Sequence, residues 1–221
     1  MDADDERNIV LIGMPGVGKS TVGVLLAKVL ARSFVDTDVR IQALEGRALQ
    51  SIIDSDGLAP FCEIEQRRVL ELRCRRSVIA TGGSVVYSPE AMAHLGDGGV
   101  IVHLDLPLQS LQRRLTGLGS RGVVIRADQS FEDLFEERQP LYRRYAQVTV
   151  PCEGLTHEQV VDRIIESLSA PAIPQERTRH ETRPLRSGRI AGGRRRRRRG
   201  RPRALADRAR GRRAELLHAP L

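Results

Sequence analysis

NIVLIGMPGVGKSTVGVLLAKVL, Asn8 to Leu30, decides the fold. Its first six residues form a short apolar, β-branched run, the mark of a buried strand. From Thr21 to Ala31 the apolar residues fall at Val22, Leu25, Leu26, Val29 and Leu30, the i, i+3, i+4 stripe of a helix. Between them, Gly13 to Ser20 satisfies G-x-x-x-x-G-K-[ST] in full, with a strand before it and a helix after it. Glycines let the backbone wrap a phosphate chain so that successive N–H groups point inward as an anion nest. The helix that follows adds its unpaired N–H groups and positive dipole end. Lys19 supplies a point charge for the β- and γ-phosphates, and the Ser20 hydroxyl a Mg2+ ligand. The expected nucleotide set is Gly13, Gly16, Val17, Gly18, Lys19, Ser20 and Thr21. A glycine-rich turn with a chance lysine would lack that strand-loop-helix context. The expected ligand is a nucleoside triphosphate.

Similar runs recur outward from this stretch. SVIATGG (77–83), VIVHLD (100–105), AQVTVPC (146–152) and the shorter SFVDTD (33–38) read as strands. Helical spacing fills Glu63 to Arg73, Leu106 to Leu115, Phe131 to Tyr145, and Thr156 to Leu168 with Thr156 as its N-cap. Strand alternating with helix predicts an α/β fold, a parallel sheet flanked by helices in three layers. Such sheets bind ligands at the carboxyl ends of their strands.

Composition divides the chain of 221 residues in two. From Gln175 to Leu221 there are 17 Arg and no Lys against 4 acidic residues, so the net charge of +8 belongs to the tail. The body up to Pro174 holds 19 basic and 24 acidic residues. The domain is therefore expected over 1–170, followed by a basic tail over 171–221 with almost nothing to bury, disordered in isolation. One account of GGRRRRRRGRPR is a poorly constrained extension from a GC-rich genome; another is nonspecific contact with nucleic acid or other polyanions through phosphate pairing. RGRPR (199–203) also resembles the AT-hook, a short match in an arginine-rich setting. Cys62, Cys74 and Cys152 have no zinc or C-x-x-C spacing and fit free thiols in a reducing compartment. With the acidic start MDADDERN and no apolar run near the roughly 20 residues a membrane span needs, a cytoplasmic protein is expected, and a monomer.

FVDTDVRI puts Asp36 and Asp38 at the end of the second strand. Residues i and i+2 of a strand share a face, so the two carboxylates are expected to serve Mg2+ and a substrate hydroxyl. The competing account is an N-cap cluster for a helix starting at Val39.

From the P-loop, DTD at Asp36–Asp38, DG…F…IE at Asp56–Glu65, ATGGS at Ala80–Ser84, the loop bearing Arg121 and ERQPLYRRYA at Glu137–Ala146, the chain resembles the shikimate kinase family over about Asn8 to Leu168. The resemblance implies a small P-loop kinase that uses ATP and Mg2+ to turn shikimate into shikimate 3-phosphate, a step of aromatic amino acid biosynthesis. It implies that Asp36 orders Mg2+ through water and that Asp38 binds the attacking hydroxyl and accepts its proton. The amides of Gly82 and Gly83 would lie near the γ-phosphate and the acceptor. Arg121 would sit in a lid over 117–129, Arg138 would pair with an acceptor carboxylate, and Arg114 would stack on adenine. A glycine-flanked lid arginine can both neutralise a phosphoryl group in flight and exclude water.

Three positions depart from the family pattern. Cys62 stands where an arginine clasps the shikimate carboxylate, Ser84 replaces a third glycine, and the lid reads RGV rather than RPL at Arg121 to Val123. A lost charge-assisted pair of about 1.5–3 kcal/mol would weaken acceptor binding by one to two orders of magnitude. Either another basic residue reaches the site, Arg67 one helical turn past Glu63 being a candidate, or the acceptor is not shikimate. Two other accounts remain open at this point: a kinase of the same fold for another small acceptor such as gluconate or homoserine, and a catalytically silent nucleotide-binding module with a polyanion-binding tail.

Overall fold

The computed structural model describes residues 6–116 and 129–169. Five strands form one parallel sheet: β1 (Asn8–Ile12), β2 (Ser33–Asp36), β3 (Ser77–Ala80), β4 (Gly99–Asp105) and β5 (Val148–Pro151). Their order across the sheet is β2-β3-β1-β4-β5. All five residues of β1 are buried, as a strand covered on both faces requires. Val10 of β1 lies opposite Ile79 of β3 on one side and Ile101 of β4 on the other. The strand order reverses around β1, so the crevice expected for a ligand opens at its carboxyl end. The P-loop occupies that place.

Eight helices pack around the sheet among the described residues: α1 (Lys19–Val29), α2 (Thr37–Glu45), α3 (Leu49–Asp56), α4 (Leu58–Leu70), α5 (Pro89–Gly98), α6 (Leu108–Thr116), α7 (Phe131–Tyr145) and α8 (His157–Ser169). Helix α1 buries Val22, Leu26 and Ala27. It lies so close to β2 that a Cβ on Gly23 would stand 2.5 Å from the Phe34 ring. The core is built from Leu, Val, Ile and Met of the central strands and the faces of α1, α5, α7 and α8. Ile41, Leu49, Ile52 and Phe61 form a second, smaller cluster where α2, α3 and α4 meet.

All five expected strands and all five expected helices are present, with shifted ends. Thr156 does cap α8: its Oγ1 accepts from the Gln159 amide, and its own amide donates to Gln159 Oε1 at 2.9 Å. Helices α3 and α5 are additions. The Ser88-Pro89-Glu90 start of α5 carries a cap signal, Ser88 Oγ accepting from the Ala91 amide at 3.1 Å, which Gly96 and Gly98 obscure in a periodicity count. The expected i, i+2 pairing of Asp36 and Asp38 on a strand is corrected. β2 stops at Asp36, whose Oδ1 accepts from the amides of Asp38 (3.0 Å) and Val39 (3.1 Å) and starts α2 at Thr37. A short acidic side chain can satisfy orphan helix N–H groups, and here it ends the strand two residues early. No helix among the described residues is long and apolar enough to cross a membrane.

Candidate active site

Three positive-φ glycines turn the backbone of the loop after β1: Gly13 at 144°, Gly16 at 82° and Gly18 at 104°. At Gly13 a Cβ would stand 2.6 Å from the Leu104 carbonyl, so the loop can lie against β4 only without a side chain there. Gly18 is the N-cap of α1 and offers no side-chain cap, which leaves the first-turn amides for a ligand. Ser20 and Thr21 are exposed in that turn. Lys19 Nζ donates to the carbonyls of Gly13 (2.8 Å) and Met14 (3.0 Å), which aims the ammonium back along the loop. Burial lowers its pKa to about 8, against the pull of Asp38. On the outer side of the loop, Arg114 Nη1 donates to the Val17 carbonyl at 3.0 Å. His157, at the first turn of α8, faces the loop as well: a Cβ on Gly18 would lie 3.1 Å from its Nε2.

Across the cleft stand two carboxylates and an arginine. Asp38 sits in the first turn of α2, and burial, opposed by Lys19 and reinforced by Asp36, raises its pKa to about 6. Glu65 of α4 is 2% exposed, and burial carries its carboxyl to about 7 against the hydrogen bond from Ser84. Neither Asp38 Oδ1 nor Glu65 Oε1 accepts a hydrogen bond among the described residues. Both converge on Gly82, where a Cβ would lie 2.7 Å from Asp38 Oδ1 and 2.2 Å from Glu65 Oε1. Arg138 of α7 is 1% exposed, with Nε donating to Tyr87 Oη at 3.1 Å and the guanidinium 5.1 Å from the centre of that ring. A Cβ on Gly83 would stand 2.8 Å from its Nη1 and 3.3 Å from Pro15 of the P-loop. Tyr142 Oη donates to the Gly83 carbonyl at 2.9 Å, pinning the glycine pair from the α7 side.

The fold thus brings Lys19, Asp38, Gly82, Gly83 and Arg138 to one cleft, with Asp36 capping beside it. Arg138 is no surface arginine in an acidic helix. The Gly82 amide donates to Thr37 Oγ1 at 3.0 Å, so of the two expected amides it is held by the protein itself. Arg121 and the lid up to residue 128 lie outside the described residues, as does the tail from residue 170. Arg67 does not reach the cleft. It is exposed on α4 and pairs with Glu45 at 3.5 Å, one turn off the buried face. Glu63 is exposed too, so it does not repel an acceptor.

Glu65 had only a motif position in the sequence, yet its signal was there. Phe61, Glu65 and Val69 form an i, i+4, i+8 stripe that α4 buries, with a carboxylate at its centre. Helix α7 repeats the device with Leu134, Arg138 and Tyr142. A charge inside an apolar stripe is buried only when something pairs with it.

Ser20 and Asp36 present hard oxygen donors beside the loop. No group of three His, Cys, Asp or Glu among the described residues could hold a metal. That donor set fits Mg2+, which keeps several waters and binds through one or two protein oxygens plus phosphates rather than in a protein cage.

A shikimate kinase family model matches residues 15–169, and so takes in the P-loop from Pro15 onward, both carboxylates and Arg138. The chain belongs to the shikimate kinase family. It is an ATP phosphotransferase acting on an alcohol group, with ATP as donor and Mg2+ as its ion, and it serves aromatic amino acid biosynthesis. The shikimate kinase of Thermodesulfovibrio yellowstonii is 37% identical over 163 residues, covering 72% of this chain and 94% of that protein. The enzyme of Persephonella marina is 34% identical over 160 residues, covering 72% and 97%. The solved shikimate kinase from Acinetobacter baumannii, in complex with shikimate, superposes with a TM-score of 0.68 at 29% identity, covering 74% of this chain and 93% of that one. Within this family Cys62 is the residue to explain. It is half-buried on α4 and borders a cavity of about 110 Å3 with Glu65, Ser84 and Tyr87. A larger cavity of about 670 Å3 opens by Arg7, Arg73 and Arg75, at the amino ends of β1 and β3 and so away from the P-loop.

Proposed function

We propose that the chain phosphorylates shikimate, with Asp38 as the group that binds the attacking hydroxyl and takes its proton. The observation that carries this is the placement of a buried carboxylate, its Oδ1 without a hydrogen bond among the described residues, between Lys19 and the Gly82–Gly83 turn. A general base needs hydrogen-bond reach and a pKa near the working pH, and burial raises Asp38 toward that range. The P-loop amides and Lys19 would hold the triphosphate, and Ser20, with Asp36 acting through water, would hold Mg2+, whose charge would offset that of the phosphates. Asp38 then turns the acceptor oxygen toward the γ-phosphorus while Arg138 fixes the acceptor carboxylate from the far side. Phosphoryl transfer asks little covalent chemistry of the protein, so alignment and charge neutralisation supply most of the rate. Arg121 would add charge at the transferring group as the segment 117–129 closes over it.

Arg138 alone holds the carboxylate in this account, because Cys62 cannot and Arg67 points elsewhere. The acceptor is therefore held more weakly than by two arginines, and the KM for shikimate is set by the remaining contacts. The protein works as a cytoplasmic monomer, and the arginine tail contacts polyanions without sequence preference.

Replacing Asp38 with Asn tests the assignment. The variant should bind ATP–Mg2+ in calorimetry as the wild type does while losing about 100- to 10,000-fold in kcat. Lys19→Ala should instead weaken nucleotide use directly. A near-native rate for Asp38→Asn would remove the base from the mechanism.

A further inference from the structure

β1 and β3 end at the P-loop and at the Gly82–Gly83 turn, but they begin on the opposite edge of the sheet, where the cavity of about 670 Å3 opens. That volume lies in the range of pockets that take small organic molecules. Hydrogen bonds fix its walls. Asn8, buried at the start of β1, donates from Nδ2 to the Cys74 carbonyl at 2.9 Å and accepts the Ser77 amide on Oδ1 at 3.1 Å. The turn between α4 and β3 is tied down by that pair. Arg73 Nη1 donates to the carbonyls of Leu70 (2.6 Å) and Leu72 (2.9 Å), which holds its guanidinium on the wall. From the α5 side, His94 Nε2 donates to the Leu72 carbonyl at 3.1 Å.

Three kinds of surface meet in this cavity. Leu72, Ile79 and Leu95 give it a buried apolar floor. Arg73 and Arg75 bring positive charge from the turn before β3. Glu6 and Asp97 bring negative charge, and no ion pair among the described residues joins these two carboxylates to those two arginines. Asp97 lies in the last turn of α5, which carries no basic side chain, so the negative end of the helix stands unopposed beside it. We propose that the cavity binds an α-amino acid with a large apolar side chain. The ligand carboxylate lies on the two arginines, whose planar guanidinium groups suit it. Its ammonium lies at the end of α5 by Asp97 and Glu6, and its side chain covers the apolar floor. A plain carboxylate or a plain amine would leave one set of charges unanswered. The site sits at the edge of the sheet away from the P-loop, so its ligand binds alongside the substrates and not in place of them.

Calorimetry of the full-length protein with L-phenylalanine and L-leucine tests this. At least one of them should bind with a Kd of roughly 0.1–1 mM, the strength expected of so small a ligand. 3-Phenylpropionate, which lacks the ammonium, and 2-phenylethylamine, which lacks the carboxylate, should bind at least about tenfold more weakly than the amino acid. Arg75→Glu and Asp97→Lys, both at exposed positions, should each weaken amino acid binding by about tenfold or more and leave the Kd for ATP–Mg2+ within about twofold. Saturating shikimate should not displace the amino acid. No heat with either amino acid up to about 10 mM, equal binding of the two truncated analogues, or unchanged affinity in either variant would overturn the proposal. So would a parallel loss of ATP binding in both variants, or displacement by shikimate, which would put the probe in the acceptor cleft.

Discussion

Gly83 is hemmed in on two sides, by Arg138 Nη1 and by the Pro15 ring. An alanine there would place a methyl carbon 2.8 Å from a guanidinium that Tyr87 holds in place. The arginine must then shift, and with it the only basic group left to clamp an acceptor carboxylate at that end of the cleft among the described residues. Gly83→Ala should raise the KM for shikimate by about tenfold or more with little change in nucleotide affinity, read by initial rates at saturating ATP. Unchanged acceptor KM would mean Arg138 does not hold the carboxylate. At this scale the sequence was informative where residue type alone dictates geometry: the P-loop glycines, Lys19 and Asp38 could be placed before any fold was known. Glu65 and Ser84 could not, because their meaning lies in a contact between residues 19 positions apart. Asp36 was legible in both of its accounts, and the structure favours the cap for its Oδ1.

At the scale of elements, the strand-helix alternation was readable because β1, β3 and β4 are buried on both faces and read as continuous apolar runs. Helices α3 and α5 were hidden because they are short and mixed in polarity, and tertiary packing rather than intrinsic preference holds them. β4 and α7 meet at a contact that the sequence disguised as an ordinary strand histidine. His103 is fully buried and stacks on Tyr142 of α7, ring centres 5.1 Å apart and 20° from coplanar. Neither ring nitrogen has a hydrogen-bond partner among the described residues. Burial, against the attraction of Asp105, lowers its pKa to about 4. The unfolded chain takes up a proton near 6.5 that the folded one refuses until about 4. The stability this histidine contributes by staying neutral is therefore complete above 6.5 and is lost as pH falls through that window. In urea denaturation, wild type should lose about 2–3 kcal/mol more than His103→Phe between pH 7 and pH 4. Asp38 and Glu65, whose pKa values are raised, act in the opposite sense but equally in both proteins, so the difference isolates His103. Parallel pH profiles would place a partner on the ring that the fold does not provide.

For the whole molecule, one parallel sheet carries both halves of the reaction. In the proposed reading the loop after β1 would hold the donor, while α2, α4, the turn after β3 and α7 would surround the acceptor. The donor half follows the family pattern closely and the acceptor half departs from it at Cys62 and Ser84. The most direct measurement is ADP release from ATP–Mg2+ by the full-length protein, with shikimate, gluconate and homoserine offered separately. Release that depends on shikimate, at a kcat/KM at least about a hundredfold above either other acceptor, is the predicted result. Strong turnover of gluconate or homoserine with none on shikimate would contradict it.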